Sequence, residues 1–77
     1  MSSNPPTHAD ILLRAIRALG GMWDANRALS ALRDAGVAAQ DRESGEKQAR
    51  KALRDLARGS HIVKLDDRPV EYRQAPR

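Results

Sequence analysis

Residues 46–74 read EKQARKALRDLARGSHIVKLDDRPVEYRQ, and the texture changes twice within them. As far as Arg58 the spacing is helical: at about 100° per residue Ala49, Leu53 and Leu56 fall close to one line, with Ala52 and Ala57 beside it. Gly59-Ser60 interrupts that pattern. His61-Ile62-Val63-Lys64-Leu65 and Val70-Glu71-Tyr72-Arg73-Gln74 are then rich in β-branched and aromatic residues, and Asp66-Asp67-Arg68-Pro69 between them is turn chemistry. The stretch predicts a helix over 46–58 followed by a two-stranded hairpin. An isolated hairpin is marginal in water, so this one should lie against helices through Val63, Leu65, Val70 or Tyr72.

Working backwards, Gln40-Asp41-Arg42-Glu43-Ser44-Gly45 is polar, and Ser44 or Gly45 could open the helix. Before it, Asp24 is an N-cap candidate followed by Ala28, Leu29, Ala31, Leu32 and Ala35, with Gly36 as the stop, which predicts a helix over 25–35. Met22-Trp23 is long enough only for a tiny strand, with Trp23 read as a core plug. Thr7 is a second N-cap candidate, Asp10 sits near the positive helix end, and Ile11, Leu12, Ala15, Ile16 and Leu19 recur at helical spacing before Gly20-Gly21. That predicts a helix over 8–19. Residues 1–6, with Pro5-Pro6, read as a flexible lead and 75–77 as a flexible tail, leaving 7–74 as the domain. The expected fold is mainly α with a small β-hairpin.

Composition bounds the rest. A chain of 77 residues holds one modest core and no second domain. With no cysteine, neither disulfides nor thiolate metal sites can support it, and with no long apolar run or signal-peptide pattern the expected setting is cytoplasmic and away from membranes. His8 and His61 have no second ligand at metal-binding spacing, so no metal is expected. His61, Asp66 and Ser60 lack a pocket and oxyanion donors, so the chain does not read as an enzyme and calls for no cofactor. Abundant Ala and Arg with little Lys is the usage of GC-rich genomes, bacterial or phage.

The net charge is +4, and its placement is uneven. Residues 1–40 carry four Arg and three Asp, whereas 41–77 carry ten Lys or Arg and seven Asp or Glu. Lys47, Lys51, Arg54 and Arg58 lie on the side of the 46–58 helix opposite its apolar line, with Gln48 and Arg50 at the edges. Lys and Arg neutralise phosphates, and Arg or Gln makes bidentate contacts to base edges, so this stripe has the chemistry of a recognition helix. A solvated basic face is the plainer alternative. One Trp, one Tyr and no Phe leave no platform for stacking single-stranded bases.

A polar-basic helix ending in Leu-x-x-Leu, a Gly and a closing hairpin resembles the recognition helix and wing of winged helix-turn-helix transcription regulators, and residues 7–45 fit the remainder of that layout. The resemblance implies three helices plus a two- or three-stranded wing sheet, double-stranded DNA as the partner, the third helix in the major groove and the wing on flanking backbone. Phosphate contacts then fall to Lys47, Lys51, Arg54, Arg58 and the wing's Lys64, Arg68 and Arg73, and base reading to Ser44, Gln48 and Arg50. Sequence-specific binding would call for a homodimer on two half-sites. Asp66 and Asp67 depart from the basic wings of many relatives. They motivate the rival expectation of a winged-helix module that docks a protein partner.

Overall fold

The structure, a computed structural model, describes residues 7–37, 41–67 and 70–75. The expected flexible lead at 1–6 lies outside the described residues, as do Arg68 and the last two residues of the expected tail. Three helices and three strands follow in the order α1 (His8–Leu19), β1 (Met22–Trp23), α2 (Ala25–Asp34), α3 (Arg42–Arg58), β2 (Ile62–Asp67) and β3 (Val70–Gln74). The strands form one antiparallel sheet in the order β1-β3-β2, so the hairpin gains β1 as a third strand. This is the mainly helical, winged-helix-like layout that the sequence predicts.

Local chemistry sets the helix ends. Thr7 and Asp10 form a reciprocal capping box at α1, and the Asp24 carboxylate accepts from the Arg27 amide at 2.8 Å to cap α2. Behind α2, Gly36 adopts φ +82°, and the Val37 amide bonds to the Leu32 carbonyl while the Gly36 amide bonds to that of Arg33, a Schellman closure.

At the C-terminus of α3, within the expected Gly59-Ser60 stop, the same closure uses a serine rather than a glycine. Gly59 keeps a negative φ, and Ser60 takes the left-handed position at φ +63°, with its amide on the Ala57 carbonyl and the His61 amide on that of Leu56. The start of α3 is also corrected. It begins at Arg42, four residues before the expected position, because Asp41 rather than Ser44 or Gly45 is the N-cap.

The core is one cluster: Leu12 and Ile16 of α1, Trp23, Ala28, Leu29 and Leu32 of α2, Ala49, Ala52, Leu53 and Leu56 of α3, Ile62 and Tyr72. Gly45, Ala49 and Ala52 keep the buried face of α3 small toward its start, and Leu53 and Leu56 fill it toward its end. Trp23 is buried, as expected. Its indole Nε1 donates to the Gly20 carbonyl at 3.1 Å, so the one polar atom of the ring is satisfied. The Arg27 guanidinium covers the ring face at 4.1 Å from its centroid and donates to the Met22 carbonyl at 2.8 Å, tying β1 to α2.

The hairpin attaches to the helices through Ile62 and Tyr72. Of the four residues expected there only Tyr72 is buried; Val63, Leu65 and Val70 are exposed. Register explains it. Tyr72 pairs with Trp23 and Lys64, whereas Arg73 pairs with Met22 and Val63, so Tyr72 and Arg73 look to opposite faces of the sheet. A shift between Lys64 and Asp66 leaves Leu65 bulged and puts Asp66 opposite Glu71.

Candidate nucleic-acid interface

Extending α3 to Arg42 changes the composition of its exposed side. Arg50, Arg54, Lys47, Arg58 and Lys51 occupy an arc of about 100° opposite the buried line, and all five are exposed. The added turn also places Glu43 within that arc and Glu46 at its margin, two acids that a helix starting at 46 leaves out or on its end. The Glu46 carboxylate joins Arg42 Nε at 3.2 Å to Arg50 Nη2 at 3.3 Å, in two i,i+4 pairs whose arginines are largely exposed. Pairs in such surroundings contribute little to stability, roughly 0.3–0.5 kcal/mol each, and their main effect is to orient the guanidinium groups.

Four of the sequence-predicted residues come together. Lys47, Arg50, Lys51 and Arg54 line one groove of about 760 Å³, bounded on one side by Asp24, Ala25 and Asn26 at the start of α2 and on the other by Val70 and Tyr72 of β3. Leu53 and Tyr72 supply apolar walls, and Asp24 and Glu46 are its acids. The arrangement follows from the fold: α3 turns its buried line toward α1 and α2 and its cations toward the gap that the wing leaves open.

The other predicted residues are placed elsewhere. Arg58 is exposed in the last turn of α3, beside the helix's negative end, and outside the groove lining. Gln48 is half-buried, on a different side of the helix from Arg50. Ser44 is engaged in the cap: its amide donates to Asp41 Oδ1 at 2.7 Å and its hydroxyl to Oδ2 at 3.3 Å. The Ser44 amide, then its hydroxyl, then the Glu43 amide hold the Asp41 carboxyl below its ordinary value.

In the wing, Lys64 shares the sheet face of Tyr72, toward the helices, while Arg73 lies on the far face, where it lines a separate groove with Gly20, Gly21, Met22 and Leu65. The sequence reading did not include Ala25 and Asn26. Their only sequence signal is the Asp24 cap, which marks a helix N-terminus without saying what stands opposite it.

Comparison of the chain with protein-family models, curated proteins and solved structures finds no match. Among the described residues no helix is long and apolar enough to cross a membrane. The functional reading therefore rests on the groove and on the layout that forms it.

Proposed function

We propose that this chain is a cytoplasmic, non-enzymatic protein that binds double-stranded DNA through α3, as a transcriptional regulator or an accessory DNA-binding protein. The observation that carries this reading is the convergence of Lys47, Arg50, Lys51 and Arg54 on one groove beside the start of α2. A row of cations on one helix matches the phosphates that flank a major groove, and displacing condensed counterions from them drives association. The exposed Arg50 and Arg54 can each offer a guanidinium fork to a guanine edge. The backbone amides at the start of α2 add positive potential at the groove's rim. Lys64 extends the surface toward the hairpin, where the exposed Asp66 limits how closely phosphates approach.

A second reading, docking of an acidic amphipathic segment of a protein partner, is favoured by the apolar walls at Leu53 and Tyr72 beneath the cations.

The test is fluorescence-anisotropy binding to random duplex DNA across a salt series, for the wild type and for Lys51→Glu/Arg54→Glu, with folding checked by circular dichroism. DNA binding through α3 predicts a log-log salt slope of about −4, for four to five neutralised phosphates, and severe loss in the variant. Weak and equal binding by both proteins would discard this reading in favour of the protein partner.

A further inference from the structure

The fold leaves one face of its sheet uncovered. Ile62, Trp23 and Tyr72 seal the inner face against the helices, and the outer face carries the row Met22, Arg73 and Val63 across the three strands. Leu65 lines the outer groove with Met22 and Arg73. Met22, Val63 and Leu65 are 57%, 43% and 46% exposed, so three of the five exposed large apolar residues of the described chain gather on this face. Further along β3, Glu71 points the same way as Arg73, paired in register with Asp66. Among the described residues neither Arg73 nor Glu71 belongs to an ion pair.

We propose that this outer face is where two copies of the chain meet, packed sheet to sheet. The charge pattern carries the choice of partner. Arg73 and Glu71 stand two residues apart on one strand, about 7 Å, one of each sign. A two-fold axis lying between the sheets and crossing β3 at Tyr72 reverses the strand direction, and so sets Arg73 of each copy over Glu71 of the other. The same axis brings Val63 of each copy over the Leu65 end of the other's β2, while Met22, level with Arg73, falls about 7 Å along β1 from its counterpart. A surface of this kind is complementary to itself.

Pairing along strand edges is the less favoured geometry. β1 offers only two residues, and β2 is bulged at Leu65 and ends in acids, features that disrupt edge pairing. The α3 groove is lined by Val70 and Tyr72, on the other face of β3, so the dimer leaves it open. The inference does not rest on DNA binding.

Sedimentation velocity without DNA, from about 10 µM to about 1 mM full chain, reads it directly. The wild type is expected to form a dimer, and Arg73→Glu and Glu71→Arg should each raise its dissociation constant about tenfold, since each reversal sets like charges together at two symmetric positions. The double variant Arg73→Glu/Glu71→Arg restores the pairs with their signs exchanged and should return to within about threefold of the wild type. Lys51→Glu/Arg54→Glu should dimerise like the wild type even if it also fails on DNA. Circular dichroism confirms folding of each variant. A wild type monomeric to 1 mM, single reversals that leave the dimer unchanged, or a double variant as weak as the singles would each overturn the proposal; a monomer would assign the apolar face to a different protein.

Discussion

β3 separates two surfaces by the direction of alternate side chains. On its inner side Val70 and Tyr72 border a groove in which four cations of α3 face two acids. On its outer side Met22, Val63 and Leu65 form an apolar surface with Arg73 at one end and Glu71 at the other. The first surface has a charge excess, which favours a polyanion and weakens with salt. The second is apolar, with Arg73 against the two acids Glu71 and Asp66, and its apolar side chains favour burial against another such surface. A net charge of +4 spread over the chain predicts neither, because what matters is which face each charge occupies.

The largest expected effect removes both surfaces together. Trp23 is buried where β1, α1 and α2 join, and Trp23→Ala should lower unfolding stability by about 3–5 kcal/mol in a denaturant titration. A cooperative loss of helix signal with DNA binding is expected.

Next comes the contrast between two charge reversals on opposite faces. On a random duplex short enough to hold one protein, Lys51→Glu should weaken binding about tenfold or more and Arg73→Glu by less than about threefold. Equal losses would dissolve the distinction between the faces.

A smaller effect sharpens the groove side alone. Glu46 draws Arg50 and Arg42 to its carboxylate, and Glu46→Gln should free Arg50 and remove a negative charge, raising duplex affinity about threefold at low salt and less at high salt. Unchanged affinity would mean that Arg50 binds DNA while still paired.

The smallest effect concerns the start of α3. The Asp41 carboxyl is held below its ordinary value of 3.8 by the Ser44 hydrogen bonds, so the ionised form stabilises the fold above that value and the contribution disappears as pH falls through the lowered one. Asn caps a helix without titrating. Thermal melts of the wild type and Asp41→Asn should therefore differ most near neutral pH and converge as pH falls from about 5 to about 2. A constant difference would remove the carboxylate from the cap.

The amino-acid sequence by itself determined the three helices, their N-caps at Thr7 and Asp24, the hairpin, the buried line of α3 and the cations opposite it. Each is set within a few residues by side-chain period or by a cap that bonds three positions along. The first turn of α3 was not legible, because Arg42, Glu43 and Ser44 bury no apolar side chain and give no period to read. Nor was it legible which residue of Gly59-Ser60 takes the left-handed position, because that depends on where the last helical carbonyls point.

The tertiary structure alone decided the two surfaces. Shifting a strand by one residue exchanges its faces, so the hairpin's sequence fits either Ile62 or Val63 turned inward until β1 pairs with β3 and the indole of Trp23 occupies the inner side. The bulge at Leu65 then redirects the far end of β2. The groove exists only because the start of α2 and the inner side of β3 are brought to the cationic face of α3 by packing between distant parts of the chain.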